Sequence, residues 1–345
     1  MHMADALLSP AVGGVMWATT AGLAAYSVRK LEPEAEDKLP LMGVLGAFVF
    51  AAQMINFSIP LTGSSGHLGG GLLLAILLGP YAGFLTMAAI LVIQALFFAD
   101  GGILALGGNI FNLGFFSCFV AYPLIYRRMI QKEATSSRQG LAAVLAAVVA
   151  LQLGAFGVVV ETKLSGITAL PFGTFVLLMQ PIHLAIGLVE GLATTALIAF
   201  IRKARPELLE GPGKEKTPRP GSLRPVLVGF LAAALILGGV ASWFASTHPD
   251  GLEWSILRVT GKEELEASSR VHTALVELQR RVALLPDYSF KTSSEEAAAE
   301  GETWPKIDPG TSVAGLLGAA LTWAVTVLFG TVVRLLRKRR SLPSS

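Results

Sequence analysis

The chain has 345 residues, of which 53% are hydrophobic and only 15% are Asp, Glu, Lys or Arg; soluble domains carry roughly 45–50% apolar and about 25% charged residues. A mean hydropathy of +0.61 and charge-free runs such as Ala6–Val28 exclude an ordinary soluble surface and match helices that cross a hydrocarbon core about 30 Å thick. The formal net charge is only +3, and basic residues flank apolar runs instead of forming a stripe, which argues against nucleic acid as a partner.

In chain order, apolar runs predict helices at 10–28, 40–57, 68–79, 81–98, 109–126, 140–161, 174–201, 224–245 and 312–334. The expected fold is an all-α polytopic membrane protein: a bundle of about seven helices, then two further spans around a small extracytoplasmic insert. Segment 68–79 is too short to span alone, so 68–98 reads as one span or two; Gly79-Pro80 favours a break. Residues 1–205 form the expected first domain and 206–223 a Pro- and Gly-rich cytoplasmic linker. Residues 224–340 form a second domain whose polar insert, 247–311, carries an amphipathic helix near 263–281 and a mobile tract at 291–302. Most of the 27 Lys and Arg residues fall in 29–38, 127–139, 202–224 and the tail, which places the N-terminus and the insert outside and the C-terminus in the cytoplasm, in the cell's inner membrane. Met1 lacks the basic region of a cleaved signal and is expected to stay at the mature N-terminus.

Cys118 is the single cysteine, so disulfides and multi-thiolate metal sites are excluded within one chain. Met1 and His2 together offer a free amine, a peptide nitrogen and an imidazole. His67, within the Gly- and Ser-rich run Thr62–Gly71, offers a fourth nitrogen. Four nitrogens in a plane suit Ni(II) or Cu(II), and binding should weaken as pH falls. The alternative is an ordinary terminal residue and a histidine that precedes a helix. Ser65 lies in the same run. Asn109 and Asn112, three apart after the glycine-rich stretch from Asp100, either support the terminal segment or hold helices together. His183 and Glu190 interrupt an apolar helix; His183 reads as a supporting group or a packing residue, and Glu190 as the partner of another helix. Asp250 and Glu253 read as a turn leading into a helix, and His272 as a helix-surface residue.

The residues 1–10, 64–70, 101–112 and 183–191 together resemble the CbiM/NikM substrate-specific components of energy-coupling-factor transporters for cobalt and nickel, over about 1–205. Pro249–Glu253 is similar to the PDGLE segment of the small auxiliary components of these systems. The usual Pro-Asp-Gly near the start stands here as Ala4-Asp5-Ala6. The resemblance implies a square plane made by the Met1 amine, the amide and imidazole of His2, and the imidazole of His67. It implies Ni2+ or Co2+ as transported substrate, no organic cofactor, a transmembrane coupling subunit, and separate ABC-type ATPase subunits, so that the chain itself is not an enzyme. Membrane lipid is the remaining partner. A secondary metal-cation carrier and a membrane metal sensor are the alternative functions.

Overall fold

The computed structural model describes residues 2–31, 38–130, 135–209, 223–263, 265, 269–290 and 304–340, side chains of 336–340 excepted. The expected linker at 206–223 and mobile tract at 291–302 fall largely outside them.

Each of the nine apolar runs contains a helix. α1 (Pro10–Lys30) starts on the Ser9 side chain, which accepts from the Val12 N–H, with Pro10 fixing the first turn, and it closes on Arg29 and Lys30. α2 (Leu39–Gln53) is buried from Leu41 to its end, apolar all round as a helix enclosed by others must be. A two-stranded antiparallel hairpin follows, β1 (Phe57–Ile59) and β2 (Ser64–Gly66). The predicted helix at 40–57 therefore ends four residues early. α3 (Gly71–Leu78) and α4 (Pro80–Phe98) are separate helices, because Gly79 takes φ +85° and ψ 165°, a conformation only glycine adopts readily, and Pro80 cannot continue a helix. α3 covers only about 12 Å at 1.5 Å per residue and cannot span.

α5 (Leu106–Met129) carries a long π-helical stretch, Phe111–Tyr126. α6 (Ser136–Ser165) and α7 (Phe172–Ala204) pack closely where Gly187 and Gly191 face Val148 and Val144, small residues admitting the neighbouring backbone. In the second half come α8 (Arg224–Gly239), α9 (Gly251–Thr260), α10 (Arg270–Val282) and α11 (Pro309–Arg340). α11 lies against α2, with Thr322 and Trp323 over Gly46 and Gly43, and crosses α8 where Gly238 meets Gly315. Among the described residues, α1, α4, α5, α6, α7 and α11 are long and apolar enough to cross a membrane, and α2 and α8 are shorter apolar helices.

The amphipathic helix of the insert is shorter than expected. Gly261, at φ +74°, ends α9, and α10 begins only after Ser269, whose side chain accepts from the His272 N–H. α10 lies across one end of the bundle, and so do the hairpin, the turn at 100–105 and the N-terminal segment.

Candidate metal site

The N-terminal segment is threaded into the bundle by its backbone. Asn109 on α5 accepts from the Met3 N–H through Oδ1 at 2.8 Å and donates from Nδ2 to the Met3 carbonyl at 3.1 Å. Gly102 N–H donates to the same carbonyl at 2.9 Å. Asp5 is buried and its Oδ1 accepts from the Ala105 N–H at 3.0 Å. Burial raises the Asp5 carboxyl above its ordinary value against these backbone donors. Thus Asp5 anchors the turn at 5–7 even without the flanking Pro and Gly.

This threading brings His2 beside His67. Their rings stack with centroids 5.0 Å apart and planes within 10°. His2 Nδ1 lies 2.9 Å from Asp100 Oδ1, while His2 Nε2 is buried with no hydrogen-bond partner among the described residues. His67 Nδ1 faces its neighbour's carbonyl, Leu68 O, at 3.1 Å. An Nδ1–H donated to an oxygen leaves Nε2 as the lone-pair nitrogen, so both rings offer Nε2. Burial holds His67 down at about 3, which keeps the imidazole neutral and able to ligate at physiological pH. For Asp100, burial alone would raise the carboxyl, but the adjacent His2 imidazole and the Tyr288 hydroxyl, 2.5 Å from Oδ2, leave it well below the usual carboxylate range.

Two features hold the His67 loop. Glu190, buried on α7, accepts from the N–H groups of Gly69 at 2.7 Å and Gly70 at 3.1 Å. Gln53 on α2 donates to the Gly69 carbonyl at 2.7 Å and accepts from Gln94 of α4 at 2.8 Å. Glu190, expected to pair with another helix, does so through backbone: its carboxyl accepts from the N–H groups of Gly69 and of Gly70, the residue that caps the start of α3.

The PDGLE segment closes one side of the site. Ser65 donates from its N–H to Pro249 O and from its hydroxyl to His248 O, both at 2.8 Å, so Ser65 serves the junction with the insert. Asp250 caps α9, accepting from the Leu252 and Glu253 N–H groups, while Glu253 accepts from the Asp250 N–H. Burial would raise Asp250, but the Glu253 N–H and the nearby His67 and His183 bring it down to about 2; burial and the Asp250 charge push Glu253 up to about 7. His67, His183, Asp250 and Gly251 line one small pocket. His183 is buried there with Nδ1 on the Met179 carbonyl of its own helix at 2.7 Å.

Of the residues expected at the site, His2 and His67 come together, Asn109 holds the strand next to His2, and His183 walls the pocket. Met1 lies outside the described residues. Asn112 is not at the site: it is one turn further along α5, against Gly157 of α6. His272 is not a surface residue; it is buried with Nε2 2.8 Å from Leu8 O, since α10 lies over the N-terminal segment. The sequence reading missed Asp100, Tyr288 and Gln53 as site residues. An acid at the end of an apolar helix was the available signal for Asp100; Tyr288 had none.

Among the described residues, no three His, Cys, Asp or Glu side chains converge to hold a metal. The assembly of spans with a terminal histidine pinned against a loop histidine defines a membrane protein of the metal-transport class. The chain belongs to the family described as the cobalt uptake substrate-specific transmembrane region, which matches residues 2–208, and a PDGLE domain matches 224–335. It is 32% identical to a putative fused nickel transport protein, NikMN, of Archaeoglobus fulgidus, over 94% of this chain and 96% of that one. It is 39% identical to a putative metal transport protein of Haloquadratum walsbyi, over 61% of this chain and 93% of that one. A crystal structure of a transition metal transporter is similar with a TM-score of 0.52 and 30% identity, covering 59% of this chain and 93% of that chain.

Proposed function

We propose that this chain captures Ni(II) or Co(II) at the end of the bundle that carries the N-terminus, on the extracytoplasmic side of the inner membrane, and passes it inward. Separate ATPase subunits, joined through a transmembrane coupling subunit, drive the cycle, and the chain performs no catalysis. The observation that carries the reading is the stacked His2–His67 pair, which sets two imidazoles side by side next to the backbone of the N-terminal segment.

The donor set is the Met1 amine, the His2 amide and imidazole, and His67. A chelate through one residue's amide and its own imidazole closes a six-membered ring only through Nδ1. His2 Nδ1 now faces Asp100, so loading requires the ring to turn about Cβ–Cγ and release that carboxylate. All four donors are nitrogens, which favours late first-row divalent ions over Mg2+ or Ca2+.

The test is metal content by mass spectrometry on protein with its native N-terminus, with Ni(II) and Co(II) in competition. His67→Ala, and separately an N-terminal extension that blocks the α-amine, are each expected to abolish stoichiometric binding. Stoichiometric, nitrogen-ligated binding that survives both changes refutes the site.

A further inference from the structure

A second polar cluster lies one helical turn beyond Asn109 on α5. Asn112 and Glu161 of α6 are 1% and 6% exposed. Both polar atoms of Asn112, Oδ1 and Nδ2, and Glu161 Oε2 lack hydrogen-bond partners. The two side chains are neighbours and occupy reciprocal notches. A Cβ on Gly108 would meet Glu161 Oε2 at 2.5 Å, and one on Gly157 would collide with Asn112 Oδ1. Gly108 and Asn112 are i, i+4 on one helix, as are Gly157 and Glu161 on the other, so each pair shares a face. The same Gly108 position lies 2.8 Å from the Met3 methyl, and Met3 adjoins His2. Glycine notches of this kind ordinarily bring helices into contact; here they admit a carboxyl and a carboxamide that, among the described residues, face only each other. A carboxyl inside a membrane protein faces a partner or a pathway, and Asn112 stands in the π-helical stretch, a feature frequent at functional sites.

We propose that Glu161 and Asn112 form a second, oxygen-donor site for a divalent transition-metal cation, which receives the ion from the His2–His67 site on its way through the bundle. This rests on the outer site proposed above. Carboxylate and carboxamide oxygens hold Ni(II) or Co(II) less tightly than amine and imidazole nitrogens do. Passage requires a site strong enough to enter and weak enough to leave, so an oxygen pair after a nitrogen plane gives the ion a step toward release.

The experiment titrates the purified chain, native N-terminus intact, with Co(II) alone and follows visible absorption, alongside metal uptake in cells carrying the rest of the transport system. Glu161→Gln with His67 present is expected to keep one nitrogen-type Co(II) per chain, which also shows that the variant is folded, while uptake falls roughly tenfold or more, as expected for loss of a transit site. His67→Ala is expected to leave a weak, oxygen-ligated Co(II) spectrum that H67A/E161Q loses. Absence of that residual binding in H67A, its persistence in the double variant, or wild-type uptake by E161Q overturns the proposal. Undiminished nitrogen-type binding in H67A refutes the outer site itself, and the hand-off with it.

Discussion

Glu190→Gln isolates the peg that holds the His67 loop. The carboxyl accepts two backbone N–H groups, from Gly69 and Gly70, at a site buried on α7. Glutamine is nearly isosteric but keeps one acceptor oxygen and turns an NH2 group toward the other N–H. One buried backbone donor is left unsatisfied, at about 1–3 kcal/mol. Only Leu68 separates Gly69 from His67, so a loop released from α7 carries its imidazole out of register with His2. Where the competent loop becomes a minor state, apparent affinity falls by the competent fraction; 1–3 kcal/mol corresponds to roughly 5- to 150-fold in Kd. Isothermal titration with Ni(II), paired with a thermal melt of the metal-free protein, measures both consequences. A wild-type Kd together with an unchanged melting midpoint would refute the assignment of Glu190 as the peg.

Tyr288→Phe keeps the ring stacked on Phe98, centroids 5.0 Å apart, and removes the hydroxyl that bonds Asp100 and neighbours Gln94; the loss of about 0.5–1.5 kcal/mol is expected to weaken metal binding several-fold and to shift the His2 ring resonances, and unaltered resonances would show that the insert does not act through Asp100. His67, held near 3 by burial, should keep a neutral ring down to about pH 4 in a histidine NMR titration of metal-free protein, whereas titration near its unperturbed value of about 6.5 would contradict the burial. The sign follows: the unfolded chain binds the extra proton between pH 6.5 and about 3, so the stability contributed by a neutral His67 is fully present above 6.5 and is lost as pH falls through that window. Gly102→Ala drives a Cβ into the Asp5 carboxyl, and overpacking of this kind costs about 1–3 kcal/mol; limited proteolysis should reveal a released N-terminal segment, and full protection would count against the threading described above.

Much of the fold was legible because a bilayer imposes length and apolarity on each span, and both are properties of consecutive residues. The break at Gly79-Pro80 was legible for the same local reason. The hairpin at 57–66 was not: β1 alone reads as the tail of α2, and the strands exist by pairing across a turn and leaning on Pro249. His2 and His67 could be singled out by nitrogen counting, yet nothing in their spacing of 65 positions states that their rings meet.

By itself the sequence determined the membrane, the succession of spans and the nitrogen character of the candidate donors, since these follow from composition and from which side chains are present. Tertiary structure decided which polar groups serve those donors. Glu190 binds the backbone of Gly69 and Gly70 at the start of α3, Asn112 turns to Glu161 instead of to His2, and Tyr288 and His272 reach from the insert to Asp100 and Leu8. Each of these links joins residues far apart in the chain, and a hydrogen bond depends on distance and direction in space, which residue order alone does not encode.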